Sequence, residues 1–169
     1  MMHPEKLMHH PGKGATPAPR SERARPVRIL VVEDDPVLCL FNAALLAKAG
    51  FEVDTAEDGE AGLDALHMNH YDLLITDNNM PKISGLELLR TLRAVDEALP
   101  VILVSGAMPI EELKREPQLR LAAMLSKPFT PHDFLSTVRD VLKTSRLAGI
   151  EKTKVGSPVG PAPSKVLAA

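Results

Sequence analysis

Five short aliphatic runs, each separated from the next by a stretch long enough for a helix, constrain this chain more than any other feature. They are Ile29-Leu30-Val31-Val32, Phe51 to Ala56, Asp72 to Thr76 around Leu73-Leu74-Ile75, Val101 to Val104, and Ala122 to Leu125. Runs of this length with little polar alternation suit strands covered on both faces. Phe51 to Ala56 does alternate and is expected at a sheet edge. Helical signals lie between the runs. Leu38, Phe41, Leu45 and Leu46 repeat at helical spacing, with Pro36 suited to the first helical position and Gly50 to the stop. Near the other end Thr130 reads as an N-cap, Pro131 sits just inside, and Phe134, Leu135, Val138, Val141 and Leu142 form one apolar stripe. Pro117 interrupts residues 109–121, so the fourth helix should be short.

Strands alternating with helices imply a parallel sheet joined by right-handed crossovers. The expected fold is α/β: a doubly wound, five-stranded parallel sheet with helices on both faces, flavodoxin-like, over residues 27–145. Residues 1–26 and 146–169 read as disordered tails, because prolines and glycines replace apolar patterning there. Charge divides the same way. The first tail has five cations against two acids and the last has four against one, so an overall −2 leaves the body at −8. An acidic body is a poor partner for nucleic acid. With no tryptophan, one tyrosine and four phenylalanines, the chain is also poorly supplied with rings to stack on bases. The longest uncharged stretch, Ala98 to Ile110, is well short of the ~18 apolar residues a membrane span needs. A lone cysteine, Cys39, gives no internal disulfide, so a soluble cytoplasmic protein is expected.

In doubly wound sheets, ligands bind beyond the carboxyl ends of the strands, where strand order reverses. Here those ends carry Glu33, Asp34 and Asp35 after the first run, Asp77-Asn78-Asn79 after the third, Ser105-Gly106 after the fourth and Ser126-Lys127-Pro128 after the fifth. Converging carboxylates repel unless a hard cation neutralises them, and all-oxygen donors suit Mg²⁺. The alternatives fail on absences. The turn after the first run has no glycine, and neither G-x-G-x-x-G nor G-x-x-x-x-G-K-[ST] occurs. A flavin-phosphate loop would be hydroxyl-rich. A dehalogenase-type phosphatase would carry an acid at Asn79, and no nucleophile elbow supports a Ser-His-Asp hydrolase.

The ordered set V-V-E-D-D-P (Val31 to Pro36), D-N-N-M-P-K-I-S-G (Asp77 to Gly85), V-S-G (Val104 to Gly106) and S-K-P-F (Ser126 to Phe129) resembles the receiver domain of bacterial two-component response regulators. The resemblance implies that Asp77 accepts a phosphoryl group. It implies Mg²⁺ held by Asp34 directly, by Glu33 mostly through water, by Asp77, and by the backbone carbonyl of Asn79. Lys127 would pair with a phosphoryl oxygen, the Ser105 hydroxyl would move to another, and the Lys127-Pro128 bond would be cis. The implied partners are a sensor histidine kinase or histidine phosphotransfer protein and a downstream protein target. No separate turnover reaction is expected. With only residues 146–169 after the body, the expected mode is a single-domain switch that docks or passes its phosphoryl group on.

Several residues read more plainly. Asp35 caps the helix beginning at Pro36, Gly85 serves backbone geometry, Cys39 fills core, and His67, His70 and His132 lie on the surface. One departure bears on output. Met124 stands three residues before Lys127, where receivers usually place an aromatic ring that turns inward on activation. It supports an alternative: an interaction module with this fold that binds its partner regardless of phosphate.

Overall fold

A computed structural model describes residues 25–95 and 98–155, with side chains as far as Leu147. The elements run β1 (Arg28–Val32), α1 (Pro36–Lys48), β2 (Glu52–Ala56), α2 (Gly59–Met68), β3 (Leu73–Asp77), α3 (Gly85–Ala94), β4 (Val101–Ser105), α4 (Ile110–Arg115), a 3-10 turn (Pro117–Leu119), β5 (Ala123–Ser126) and α5 (Pro131–Val155). The sheet is parallel throughout in the order β2-β1-β3-β4-β5, so the expected doubly wound architecture is present. Strand order reverses between β1 and β3, where the acidic residues emerge.

Alternate residues of the central strands feed two separate cores. Ile29, Val31, Leu73, Ile75 and Ile102 face α1 and α5, where Leu46, Phe134 and Val138 meet them. Leu30, Val32, Leu74 and Val101 face the other way, onto Leu86, Leu88, Leu89 and Leu92 of α3. The period of two along a strand sorts the side chains between faces. Because both faces are covered, the central runs look continuously apolar in sequence.

Local signals set the helix ends. The Asp35 carboxylate accepts from the Val37 and Leu38 amides at 2.8 and 3.2 Å. Thr130 Oγ1 accepts from the Asp133 amide, and Asp133 accepts in return from the Thr130 amide. Gly50 ends α1 at φ +92, a conformation a side chain would resist.

Two expectations need correction. The last run does not form a strand buried on both faces. Met124 is 44% exposed, because β5 is the second edge of the sheet and α4 is too short to cover it. Also, α5 runs to Val155, past the expected boundary at 145, so residues 146–155 are helical where a tail was expected. Residues 1–24 and 156–169 lie outside the described residues.

Candidate metal and phosphoryl site

Parallel registry brings the carboxyl ends of the five strands level. Val32 pairs with both Ala56 and Thr76, Asp77 with Val104, and Ser105 with Ser126. The next residues therefore emerge on one rim. Glu33 and Asp77 are 4% and 5% exposed, whereas Asp34 is open to solvent. One carboxylate oxygen from each of Glu33, Asp34 and Asp77 falls within 4.8 Å of the others. The set offers oxygen only, with neither thiolate nor imidazole among its members. A small hard cation that keeps several waters fits such a set.

Lys127 reaches into this cluster from the turn after β5. Its Nζ lies 3.2 and 3.1 Å from the two Glu33 oxygens and 3.2 Å from Asp77 Oδ1. The Lys127 amide donates to the Ser105 carbonyl at 2.9 Å, and the Lys127-Pro128 bond is cis. The ammonium thus sits between two carboxylates that would otherwise face each other almost without solvent. Burial raises the Glu33 carboxyl above its usual range, and the Asp77 charge adds to this; the bond from Lys127 opposes both. For Lys127, burial pulls downward, but the Glu33 bond and the two carboxylate charges outweigh it and leave the ammonium held more firmly than usual. Geometry and charge agree that the lysine is protonated and the cluster has one fixed cation of its own.

The other expected residues surround Asp77. The Asn79 amide donates to Asp77 Oδ2 at 3.2 Å, so both carboxylate oxygens have partners. Ser105 is fully buried; its hydroxyl donates to the Ala107 carbonyl at 2.7 Å and lies 3.3 Å from Asn79 Oδ1. In this arrangement the hydroxyl is occupied by its own loop, not aimed at Asp77. All six expected site residues, Glu33, Asp34, Asp77, Asn79, Ser105 and Lys127, therefore lie on one rim. Cys39 is buried, and burial, with the Glu33 charge, raises its thiol above the usual range, as suits a core residue.

Three residues of the stretch Asp77 to Gly85 support the site from outside the carboxylate cluster. Gly85 lets the start of α3 press on the end of β3: a Cβ there would stand 2.3 Å from the Asp77 carbonyl oxygen. Asn78 Oδ1 accepts from the Leu86 amide at 3.2 Å, which fixes the loop after Asp77 to the same helix. Lys82, at φ +65, bridges to Asp58 at 2.6 Å and Glu60 at 3.1 Å, clasping that loop to the start of α2. Beside it, a Cβ at Gly59 would meet Ile83 at 2.6 Å. Asp58 and Lys82 lie 24 residues apart in sequence, so no local pattern announces their pairing.

Comparison with known proteins places this geometry. The response regulator of the cell cycle, CtrA, from Brucella ovis is 30% identical over 120 residues, 71% of this chain and 52% of that protein. The chain thus spans about half the length of the curated relatives it matches. Among solved structures, chemotaxis response regulator CheY4 of Vibrio cholerae is 27% identical with a TM-score of 0.63, covering 69% of this chain and 98% of that one. Response regulator TrrA from Thermotoga maritima, solved in complex with Mg²⁺-BeF, is 30% identical with a TM-score of 0.61, covering 68% and 98%. The model of the response regulator receiver domain matches residues 29–139, which takes in every rim residue described above and all of the strands except Arg28 at the start of β1, and the chain belongs to that family.

Proposed function

We propose that this receiver domain is a phosphorylation-dependent switch of a two-component system or phosphorelay, loaded on Asp77 by a sensor histidine kinase or a histidine phosphotransfer protein. The observation that carries this reading is Lys127 Nζ held 3.2 Å from Asp77 beside the cluster of Glu33, Asp34 and Asp77. An Asp77 oxygen attacks phosphorus, the bond from phosphorus to the donor's imidazole nitrogen breaks, and the neutral imidazole departs after taking a proton. A carboxylate approaching an anionic phosphoryl group is opposed by charge on both reactants. Lys127 offsets part of it from a position Glu33 fixes beforehand, so little reorganisation is needed at the moment of reaction. Glu33, Asp34, Asp77 and the Asn79 backbone carbonyl would hold Mg²⁺, which supplies the remaining neutralisation of phosphoryl charge when bound. The acceptor is the protein itself, so the outcome is a modified surface for a downstream protein, with no separate substrate turned over. A cytoplasmic setting suits a kinase donor, and neither specific nucleic acid nor a membrane is required; no helix among the described residues is long and apolar enough to cross one.

Incubation with Mg²⁺ and a small acyl phosphate, followed by intact-mass measurement, tests the reading: one phosphoryl group should be gained, and none by Asp77→Ala. Absence of any gain would favour the second reading, an interaction module indifferent to phosphate. Its support is the local bonding of Ser105 together with Met124, a half-exposed flexible side chain in place of a ring.

A further inference from the structure

At the end of the sheet away from Asp77 lies a hollow of about 310 Å³ that the switch does not use. Its floor is apolar: Val27 just before β1, Phe51 just before β2, and Leu142 and Leu147 of α5. Leu147 is 56% exposed. Along the rim stand Arg139, Lys143 and Arg146, all exposed. Their spacing of four and then three residues puts them on one face of α5, in a stripe roughly 10 Å long at ~1.5 Å rise per residue.

These three cations form no ion pair among the described residues, whereas Arg25, Arg28, Lys82, Arg90, Lys114 and Lys127 each do. In a body that is acidic overall, three adjacent cations without an ion pair among the described residues, beside exposed apolar surface, are an uneven feature. Such a combination of apolar centre and charged rim is how protein interfaces are built.

We propose that this hollow docks an acidic segment of a partner protein, with an apolar side chain on the floor of Phe51, Leu142 and Leu147 and carboxylates along Arg139, Lys143 and Arg146. The cations run in a line and do not converge, so they suit carboxylates spaced along a peptide better than one phosphate or carboxylate ion. The apolar floor suits a side chain and not a phosphodiester backbone. The chain's own flanks are the wrong sign: residues 1–24 carry four cations against two acids, and residues 148–169 three lysines against one acid. The occupant therefore comes from another molecule. Because the hollow and the rim of Asp77 lie at opposite ends of the strands, it can be filled whether or not the phosphoryl site is engaged, and the inference is independent of that reading.

The test uses the full chain with duplex DNA and three defined polymers: a random copolymer of Glu and Tyr, polyglutamate, and a random copolymer of Lys and Tyr. The Glu-Tyr copolymer samples many spacings of acid and ring, so no single peptide need be guessed. It should bind the wild type and weaken roughly tenfold or more on substituting Arg139, Lys143 and Arg146 together by Glu, because attraction becomes repulsion at each contact. Leu147→Ser, which leaves every charge in place, should also weaken it. All four residues are exposed, and circular dichroism checks that the variants fold. Polyglutamate should bind less tightly, and the Lys-Tyr copolymer not at all. Unchanged binding in the charge-reversed protein, or polyglutamate and duplex DNA binding as tightly as the Glu-Tyr copolymer, would overturn the proposal. So would self-association in sedimentation that the charge reversal abolishes, since the occupant would then be a second copy.

Discussion

Replacing Lys127 by Met removes the ammonium that bridges Glu33 and Asp77 while keeping most of the side-chain volume. Glu33 and Asp77 are 4% and 5% exposed and would then face each other without a counter-charge. Breaking a buried ion pair by deleting one partner costs ~3–5 kcal/mol. The Lys127 side chain is 25% exposed, so water reaches the gap and the expected loss is smaller, about 2–4 kcal/mol at pH 7.5 without divalent cation. That corresponds to a fall in Tm of roughly 10 °C for a domain of this size. The loss should depend on pH in a definite sense. Burial already raises Glu33, and without the ammonium its folded value rises further, while in the unfolded chain it titrates at its ordinary value. Between those two values the folded variant binds more protons than the unfolded chain, so its stability recovers as pH falls through the raised value, and the recovery ends near the ordinary one. Urea melts of wild type, Lys127→Met and Lys127→Arg at about pH 7.5 and about pH 5 read this directly, since both pH values lie above the ordinary range of ~4.3. The difference between wild type and the Met variant should narrow at the lower pH, with the Arg variant close to wild type at both. A deficit equal at the two pH values would refute the account of charge and point to lost packing instead.

Gly85→Ala should destabilise the domain by about 2–4 kcal/mol in urea melts, because the clash is with the Asp77 backbone and not with a flexible side-chain tip. An unchanged midpoint would mean that α3 can retreat freely. Asp58 is held below its ordinary value of 3.8, first by the Ala61 amide and then by Lys82, so its stabilising effect is complete above that value and is lost as pH falls through the lowered one. Asp58→Asn should therefore flatten the acid limb of the stability profile below pH ~4, and a parallel profile would argue against the clasp. Asp77→Asn should shrink the Tm increase that Mg²⁺ gives the wild type, because one of the three carboxylates loses its charge. An equal increase in both proteins would take Asp77 out of the metal set. Ser105→Ala should narrow the difference in partner affinity between phosphorylated and unphosphorylated protein, and Met124→Tyr should widen it, in paired titrations.

The sequence by itself determined the order of the elements and which side chains gather at the strand ends, because both are written locally. Strand runs, the caps at Asp35 and Thr130 and the stop at Gly50 depend on neighbours a few residues away. The acids at the strand ends follow from the same reading, since a parallel sheet gathers those ends on one side whatever the packing details. What the tertiary structure decided involves residues distant in sequence whose pairing no local pattern encodes. Lys127 divides itself between Glu33 and Asp77, and this converts an expected cluster of mutually repelling acids into one with a built-in counter-charge. The Ser105 hydroxyl turns to its own loop at Ala107, and Lys82 joins Asp58 across the start of α2. The exposed face of β5 and the line of cations on α5 that have no ion pair among the described residues belong here too. An aliphatic run looks the same at an edge as in the middle of a sheet, and a cation's partner depends on which surface the fold lays beside it.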